Sequence, residues 1–270
     1  MSPGYREEPI SRLRPSTRRR GLVEELVRTA LGLVTDDVET LNLKIAAAAL
    51  QEMREAFEMF QPYGDAKKVA IFGSARTKPD DPFYAQARDV ATRLAALDWM
   101  VITGAGPGIM QAAMEGAGRE QSIGVSIRLP FEQSANPIIA GDSKYVSMKY
   151  FFTRKLMLIK EAAAYVCLPG GFGTLDETLE LLTLTQTGKG LPAPIVLLDT
   201  PGDRYWQGLT TWIDEDLVRR GLVASTDVRL YKVTDSCEEA VEEISRFYRN
   251  YHSLRYVGDR LVLRLHRAPT

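Results

Sequence analysis

Residues 164–177 read AYVCLPGGFGTLDE, an apolar run followed by a glycine-rich loop and by residues suited to the start of a helix. The run 164–168 predicts a short buried strand, residues 169–174 a loop, and residues 175–185 a helix. Backbone N–H groups in such a loop can point at one anion, and the helix N-terminus adds about half a positive charge. We therefore predict that Gly170, Gly171, Gly173 and Thr174 bind a phosphate group.

The same loop also has a purely structural interpretation. Thr174 followed by Glu177 matches a capping box, with Thr174 as the N-cap and Glu177 at the third helical position. Capping accounts for these two residues. It does not account for three glycines within four residues, because each glycine costs backbone entropy on folding.

Outward from this stretch, short apolar strands alternate with amphipathic helices. This alternation predicts an α/β protein with a Rossmann-like doubly wound parallel sheet over residues 65–250, preceded by an N-terminal helical extension over residues 21–64. Residues 1–20 contain six arginines and three prolines, and they predict a disordered basic arm, either a solvated tail or an arm that touches anions or RNA. Residues 251–270 form a C-terminal tail, in which 261–265 is a candidate edge strand.

Composition excludes several classes of protein. The net charge of −1 provides no general field to attract nucleic acid or an anionic membrane. The only histidines, His252 and His266, lie in the last 20 residues, so a histidine-based triad or metal site near the glycine-rich core is excluded. Cys167 and Cys237 are too few for a disulfide framework, and no apolar run approaches the roughly 18 residues of a membrane span. We expect a cytoplasmic protein with no metal, no cofactor, no nucleic acid and no membrane partner.

Two further glycine-containing loops follow predicted strands. Gly73-Ser74 ends the first strand, and Gly104–Gly108 ends the second. Because ligands of such sheets bind outside the carboxyl ends of the strands, Gly73, Ser74, Gly104 and Gly106 are candidate substrate-binding residues. The second loop is not the dinucleotide fingerprint, because Ile109 occupies the third glycine position.

The helix predicted for residues 150–161 contains two adjacent cations. Arg154 and Lys155 each have apolar residues at helical i±3 and i±4 spacing. A cation in apolar surroundings needs an anionic partner. That partner is either a bound phosphate or carboxylate, or an ion pair with Glu161 or Glu177, and the sequence leaves both open.

These residues together resemble a known family. Arg154-Lys155 followed by Pro169–Glu177 is similar to the paired "RK" and "PGGxGTxxE" motifs of the LOG (Lonely Guy) family, and the nine-residue motif has every fixed position present. The loop 103–110 and residues 186–189 also resemble the larger bacterial members. The likeness covers roughly residues 65–250.

The resemblance implies a homodimeric Rossmann-like enzyme that hydrolyses the N-glycosidic bond of a nucleoside 5′-monophosphate. Its substrate would be AMP or a cytokinin riboside monophosphate, and its products the free base and ribose 5-phosphate. It implies Arg154 and Glu177 as the catalytic pair, with Lys155 close to the phosphate. The family commonly has Met-His where this chain has Phe151-Phe152, which we expect near the base pocket.

Glu177 is expected to hold the ribose hydroxyls, to stabilise developing positive charge and to help position water, while Arg154 orients it. Asp176 lies about 100° around the helix and cannot face the same ribose, whereas Glu180 can. Two other classes of function remain: a non-catalytic nucleotide or molybdenum-cofactor carrier, and a protein whose residues 1–60 form a regulatory or oligomerisation module. The "lysine decarboxylase" label carried by many members is not expected to apply, because that chemistry needs pyridoxal phosphate on a Schiff-base lysine.

Overall fold

The computed structural model describes residues 17–129 and 135–268. The chain divides into two compact units, residues 1–51 and 52–270. The first two helices are α1 (Thr17–Thr35) and α2 (Thr40–Phe60). Of the predicted basic arm, residues 1–16 lie outside the described residues. Residues 17–20 are helical rather than disordered, and Arg20 pairs with Glu24 one turn later at 2.9 Å.

Seven strands form one sheet in the order β4-β3-β2-β1-β5-β6-β7, and every neighbouring pair is parallel. This confirms the predicted α/β, Rossmann-like class. The strands are β1 (Lys68–Phe72), β2 (Met100–Thr103), β3 (Ser122–Ile127), β4 (Tyr145–Met148), β5 (Ala164–Cys167), β6 (Ile195–Leu198) and β7 (Lys232–Thr234).

Helices cover both faces of this sheet. They are α3 (Pro82–Ala95), α4 (Ile109–Ala117), α5 (Phe151–Glu161), α6 (Phe172–Gln186), α7 (Tyr205–Trp212) and α8 (Cys237–Asn250). In β1, Val69 and Ile71 belong to the core that contains residues of α3, α4 and α8. Ala70 and Phe72 belong to the core that contains residues of α5, α6, α7 and the end of α2. A sheet buried on both faces explains why its strands read as continuous apolar runs.

Two segments depart from the regular pattern of the fold. Helix α7 ends at Trp212, and a π-helical segment, Ile213–Val218, continues it. The candidate edge strand in the tail does form a strand, β9 (Arg260–Leu265), but it pairs antiparallel with β8 (Tyr251–Val257) in a separate two-stranded sheet. The turn between them contains Gly258 with a φ of +63°, which favours local pairing over joining the main sheet.

Within residues 17–129 and 135–268, no helix is both long and apolar enough to cross a lipid bilayer.

Candidate functional site

Three loops converge at the carboxyl edge of the sheet, because β2, β1 and β5 are neighbours in it. The Ser74 N–H donates to the carbonyl of Pro169 at 3.1 Å, and the Ile109 N–H donates to the carbonyl of Ser74 at 3.0 Å. The loop after β1 is thus hydrogen-bonded to both of the other glycine-containing loops. The structure brings Gly73 and Ser74 together with Gly104–Gly108 and Gly170–Thr174, as the sequence pattern predicts.

Close packing explains one glycine of the third loop and leaves two others free to meet a ligand. A Cβ on Gly170 would lie 2.2 Å from Thr174 Oγ1 and 3.0 Å from the Ser74 nitrogen. At Gly171 and Gly173, by contrast, no described atom lies within 4 Å of the position a Cβ would take. The Tyr205 hydroxyl donates to the Gly170 carbonyl at 2.6 Å and anchors the loop from α7.

Helix α6 begins at Phe172 with Gly171 as its N-cap, three residues before the predicted start. The capping-box interpretation is therefore wrong, because Thr174 lies inside the first turn. The first N–H groups of any helix lack intrahelical partners. Since Gly171 and Gly173 carry no side chain into the open space beside them, the backbone there is accessible to an anion.

Arg154 and Glu177 form a buried ion pair beside this loop. Arg154 Nη1 lies 3.1 Å from Glu177 Oε1, and each residue is only 9% exposed. Arg154 Nε also donates to the Val125 carbonyl on β3 at 3.1 Å, which fixes the plane of the guanidinium. A Cβ on Gly104 would lie 2.3 Å from Arg154 Nη2, so the loop after β2 leaves room for this side chain only because residue 104 is glycine.

Burial sets the electrostatics of Glu177. Removal from water raises the pKa of its carboxyl above the usual range, and the Arg154 guanidinium opposes that rise only in part. The neighbouring carboxylates of Asp176 and Glu180 add to the increase in the pKa of Glu177, while Lys155 opposes it. Perturbed carboxyl groups in a cleft are typical of functional sites.

A cavity of about 620 Å³ opens next to Arg154. Its walls include the loop Gly104–Pro107 together with polar side chains from β3, the residue that follows it, β4 and the segment after residue 134: Ser126, Arg128, Asn136, Tyr145 and Ser147. Ser126 Oγ and the Tyr145 hydroxyl are hydrogen-bonded at 2.8 Å. A volume of this size with a few convergent polar groups is typical of a small-molecule site.

Asn136 is hydrogen-bonded to two carbonyl groups of the loop Gly104–Pro107. The Asn136 side-chain amide donates to the Gly106 carbonyl at 3.1 Å, and its backbone N–H donates to the Ala105 carbonyl at 2.8 Å. Ala105 has a φ of +58°, which is uncommon for a residue other than glycine. Such strain persists only where the surroundings impose it, and it often marks a ligand-binding loop.

Lys155 does not join the Arg154–Glu177 pair. Its ammonium lies 3.0 Å from Asp176 Oδ2 and also pairs with Glu180. Burial alone would lower the pKa of Lys155, but the bonds to Glu180 and Asp176 raise it. Lys155 thus faces Asp176 and Glu180 rather than Glu177, since the next residue along a helix points about 100° away, and its closeness to the phosphate stays a prediction.

Phe151 and Phe152 also lie apart from the cavity beside Arg154. Both are about half exposed, and together with Lys155 they line a different surface pocket between α5 and α6. Phe152 stacks on Tyr150 with ring centroids 5.6 Å apart. Within one chain, these two rings are therefore not among the residues that line the cavity in which they were expected.

Sequence reasoning missed Asn136, Arg128 and Tyr145. No local motif marks them, because they come from two loop positions and one position in β4 that only the fold brings to this cavity. The residues at the ends of β3 and β4 could have been proposed as site residues, because these strands end at the same edge of the sheet as the glycine-containing loops.

Comparison with known proteins gives consistent matches. A family model described as "Possible lysine decarboxylase" matches residues 108–244. The cytokinin riboside 5′-monophosphate phosphoribohydrolase LOG1 of Arabidopsis thaliana is 26% identical over 185 residues, which cover 67% of this chain and 84% of that protein. The protein named cytokinin riboside 5′-monophosphate phosphoribohydrolase in Mycobacterium marinum is 29% identical over 178 residues, covering 64% of this chain and 91% of that one.

Solved structures resemble the chain less closely. The X-ray structure of TM1055 has a TM-score of 0.46 at 24% identity and covers 67% of this chain and 99% of that one. The molybdenum cofactor carrier protein of Chlamydomonas reinhardtii has a TM-score of 0.45 at 17% identity and covers 67% of this chain and 97% of that one. At this level neither likeness bears on the ligand.

Proposed function

Because the chain belongs to the LOG family, whose matching model is described as "Possible lysine decarboxylase", we propose that it hydrolyses the N-glycosidic bond of a nucleoside 5′-monophosphate. The bond between C1′ and the base nitrogen breaks. Water supplies the hydroxyl that forms on C1′ and the proton that leaves with the base. The products are the free base and ribose 5-phosphate, and AMP or a cytokinin riboside monophosphate is the substrate.

One observation carries this proposal: the buried Arg154–Glu177 pair adjoins a phosphate-type loop, and Arg154 borders a cavity large enough to hold a base. The loop Gly170–Thr174 begins α6 on one side, and the cavity of about 620 Å³ borders Arg154 on the other. A nucleotide bound with its phosphate at the loop and its base in the cavity has its ribose at Glu177. Binding energy from both ends of the nucleotide then holds C1′ in place.

In this arrangement the ionised Glu177 carboxylate accepts hydrogen bonds from the ribose hydroxyls and stabilises the oxocarbenium-like charge that develops at the sugar. The same carboxylate helps to position the attacking water. Arg154 keeps the carboxylate oriented through the 3.1 Å contact and supports its ionised form. Glu180 takes no direct part, since it pairs with Lys155.

Lysine decarboxylation does not fit this site. That reaction needs pyridoxal phosphate bound as a Schiff base to a lysine. None of the described residues that line the cavity beside Arg154 is a lysine, and Lys155 is held by Asp176 and Glu180. Pyridoxal phosphate therefore enters no step of the proposed reaction.

The proposed assembly is a homodimer. Exposed apolar side chains of α5 line the pocket between α5 and α6, and they suit contact with a second copy of the chain: Phe151, Phe152 and Leu156. Phe172, at the start of α6, is 93% exposed. Sedimentation analysis of Phe152→Asp against the unmodified protein tests this, since a monomer in both samples contradicts the dimer.

The decisive experiment is a chromatographic screen for free base after incubation with AMP, GMP, CMP, IMP and an N6-isopentenyl analogue of AMP. Release of base together with ribose 5-phosphate supports the hydrolase. Tight nucleotide binding with no base released from any of the five supports the alternative, a carrier protein.

A further inference from the structure

Glu52, on α2, is a buried carboxylate whose hydrogen bonds all go to the surroundings of Arg154. Glu52 is only 3% exposed to solvent. Oε1 accepts from the Lys149 N–H at 2.6 Å, and Oε2 accepts from the Thr153 hydroxyl at 2.7 Å and from the Tyr150 N–H at 3.4 Å. These three donors lie at the start of α5, the helix that carries Arg154.

Glu52 supplies acceptor oxygens and a negative charge at the start of helix α5. Its N-cap residue, Tyr150, does not cap it with its own side chain. The first N–H groups of a helix need partners, and a negative charge near them is favourable. Glu52, 97 and 98 residues away along the chain, accepts from the N–H groups of Lys149 and of the N-cap residue Tyr150, and it places its negative charge next to the start of the helix. The Tyr150 peptide is thereby held on two sides, because its carbonyl accepts from the Arg154 N–H at 3.2 Å.

Glu52 also reaches the other element that holds Arg154. Arg128 Nη2 lies 3.0 Å from Glu52 Oε1, and Arg128 lines the cavity beside Arg154. Arg128 follows β3, and β3 supplies the Val125 carbonyl that accepts from Arg154 Nε. One carboxylate therefore connects the end of β3 to the start of α5.

The charge on Glu52 is well compensated. Burial tends to raise the pKa of its carboxyl, but the hydrogen bonds from Thr153, Lys149, Tyr150 and Arg128 outweigh burial and lower that pKa. The group is accordingly ionised at neutral pH. A buried carboxylate kept charged by four donors is a rigid connection, since each donor loses its partner if the side chain is removed.

We propose that Glu52 is a positioning residue that sets the start of α5 so that Arg154 meets Glu177 in the productive geometry. It touches neither the ribose nor the base of the proposed substrate, and its effect on turnover passes through Thr153 and Arg154. The kinetic part of this inference rests on the proposed hydrolase activity, whereas the structural part does not.

The test compares Glu52→Ala, Glu52→Gln and Thr153→Val with a matched control, Glu58→Ala, which removes an exposed glutamate from the same helix. With AMP as substrate, Glu52→Ala is expected to lower kcat roughly tenfold or more, because small displacements of catalytic groups are costly. KM is expected to stay within about threefold, since Glu52 makes no contact with the loop Gly170–Thr174 in the described structure. Glu52→Gln keeps one acceptor oxygen and is expected to recover part of kcat.

Thr153→Val keeps the shape of the side chain and removes the hydroxyl, which lies 2.7 Å from Glu52 Oε2 and 2.9 Å from the Tyr150 carbonyl, so it tests the connection even if Glu52→Ala fails to fold. We expect Thr153→Val to lower kcat roughly threefold or more. In the Glu52→Gln, Thr153→Val double variant, the fold-loss in kcat is expected to be smaller than the product of the fold-losses of the two single variants. Turnover within twofold of the unmodified protein in Glu52→Ala and Thr153→Val overturns the proposal. So does a parallel loss in all variants including Glu58→Ala.

Amide hydrogen exchange separates this inference from the proposed function. Exchange across residues 149–154 is expected to rise at least tenfold in Glu52→Gln or Glu52→Ala, with the amides of β1 and β5 unchanged. This readout applies even if no base is released from any nucleotide, an outcome that refutes the hydrolase. Unchanged exchange at residues 149–154, or a uniform rise over the whole sheet, refutes the positioning role of Glu52.

Discussion

Replacing Glu177 by glutamine removes one negative charge and keeps the shape of the site. The amide oxygen of the new side chain can still accept a hydrogen bond from Arg154, whose Nη1 lies 3.1 Å from the Glu177 carboxylate. The substitution removes the electrostatic attraction between the carboxylate and the positive charge that develops on the ribose in the transition state. For unit charges about 4 Å apart at an effective dielectric constant near 20, that attraction is about 4 kcal/mol.

A loss of about 4 kcal/mol corresponds to a roughly 10³-fold fall in kcat. At the dielectric constant of water the attraction is about 1 kcal/mol, or roughly fivefold in rate. The burial of Glu177, which is 9% exposed, favours the larger figure. Nucleotide binding changes little, because the glycine-rich loop remains intact.

The assay follows release of adenine from AMP by chromatography, and calorimetry measures binding of AMP to the variant. Asp176→Asn is the matched control, because Asp176 precedes Glu177 and its side chain is 58% exposed and paired with Lys155. The control is expected to keep turnover within about threefold, as a solvated ion pair contributes little. If Glu177→Gln keeps turnover within tenfold of the unmodified protein, or if Asp176→Asn loses as much, the assigned role of Glu177 is refuted.

Three further outcomes are expected. Gly171→Val should leave the melting temperature unchanged, because the space beside Gly171 is open and its φ is −85°. The same variant should bind ribose 5-phosphate roughly tenfold more weakly or worse in calorimetry. Unimpaired binding would show that the loop is not the phosphate site. Gly170→Ala should lower the free energy of unfolding by about 1–3 kcal/mol in urea titrations, because the new Cβ would lie 2.2 Å from Thr174 Oγ1, and an unchanged midpoint would contradict that packing. In the pH profile of kcat/KM, activity should be lost as pH falls through a pKa above the usual glutamate range, because burial raises the pKa of Glu177. An acidic limb at or below the ordinary glutamate pKa would argue against a role for Glu177.

The order of strands and helices was predictable from the sequence because it depends on local periodicity. Strands buried on both faces read as apolar runs, and helices repeat near every 3.6 residues. The glycine-rich stretch 169–174 was predictable for a related reason, since its glycines and the helix after it are adjacent in the chain. Its helix boundary was not, because Thr174 satisfied the capping pattern while the chain begins α6 at Phe172.

The partners of the charged side chains were decided by the tertiary structure. The sequence places Arg154 and Lys155 in the same helix among apolar residues, and it offered Glu161 and Glu177 as their acidic candidates. Only the packing of α5 on α6 and β3 pairs Arg154 with Glu177 and Val125, and Lys155 with Asp176 and Glu180.

Glu52 shows the same limit most clearly. It is one of several glutamates on an amphipathic helix, and no local feature distinguishes it from Glu58. Its role comes from contacts with Arg128, Lys149 and Thr153, which lie 76 to 101 residues away in the chain. Local periodicity determines the secondary structure, and through it the edge of the sheet where ligands bind. The identity of each ion pair depends on long-range packing that brings distant residues within about 3 Å.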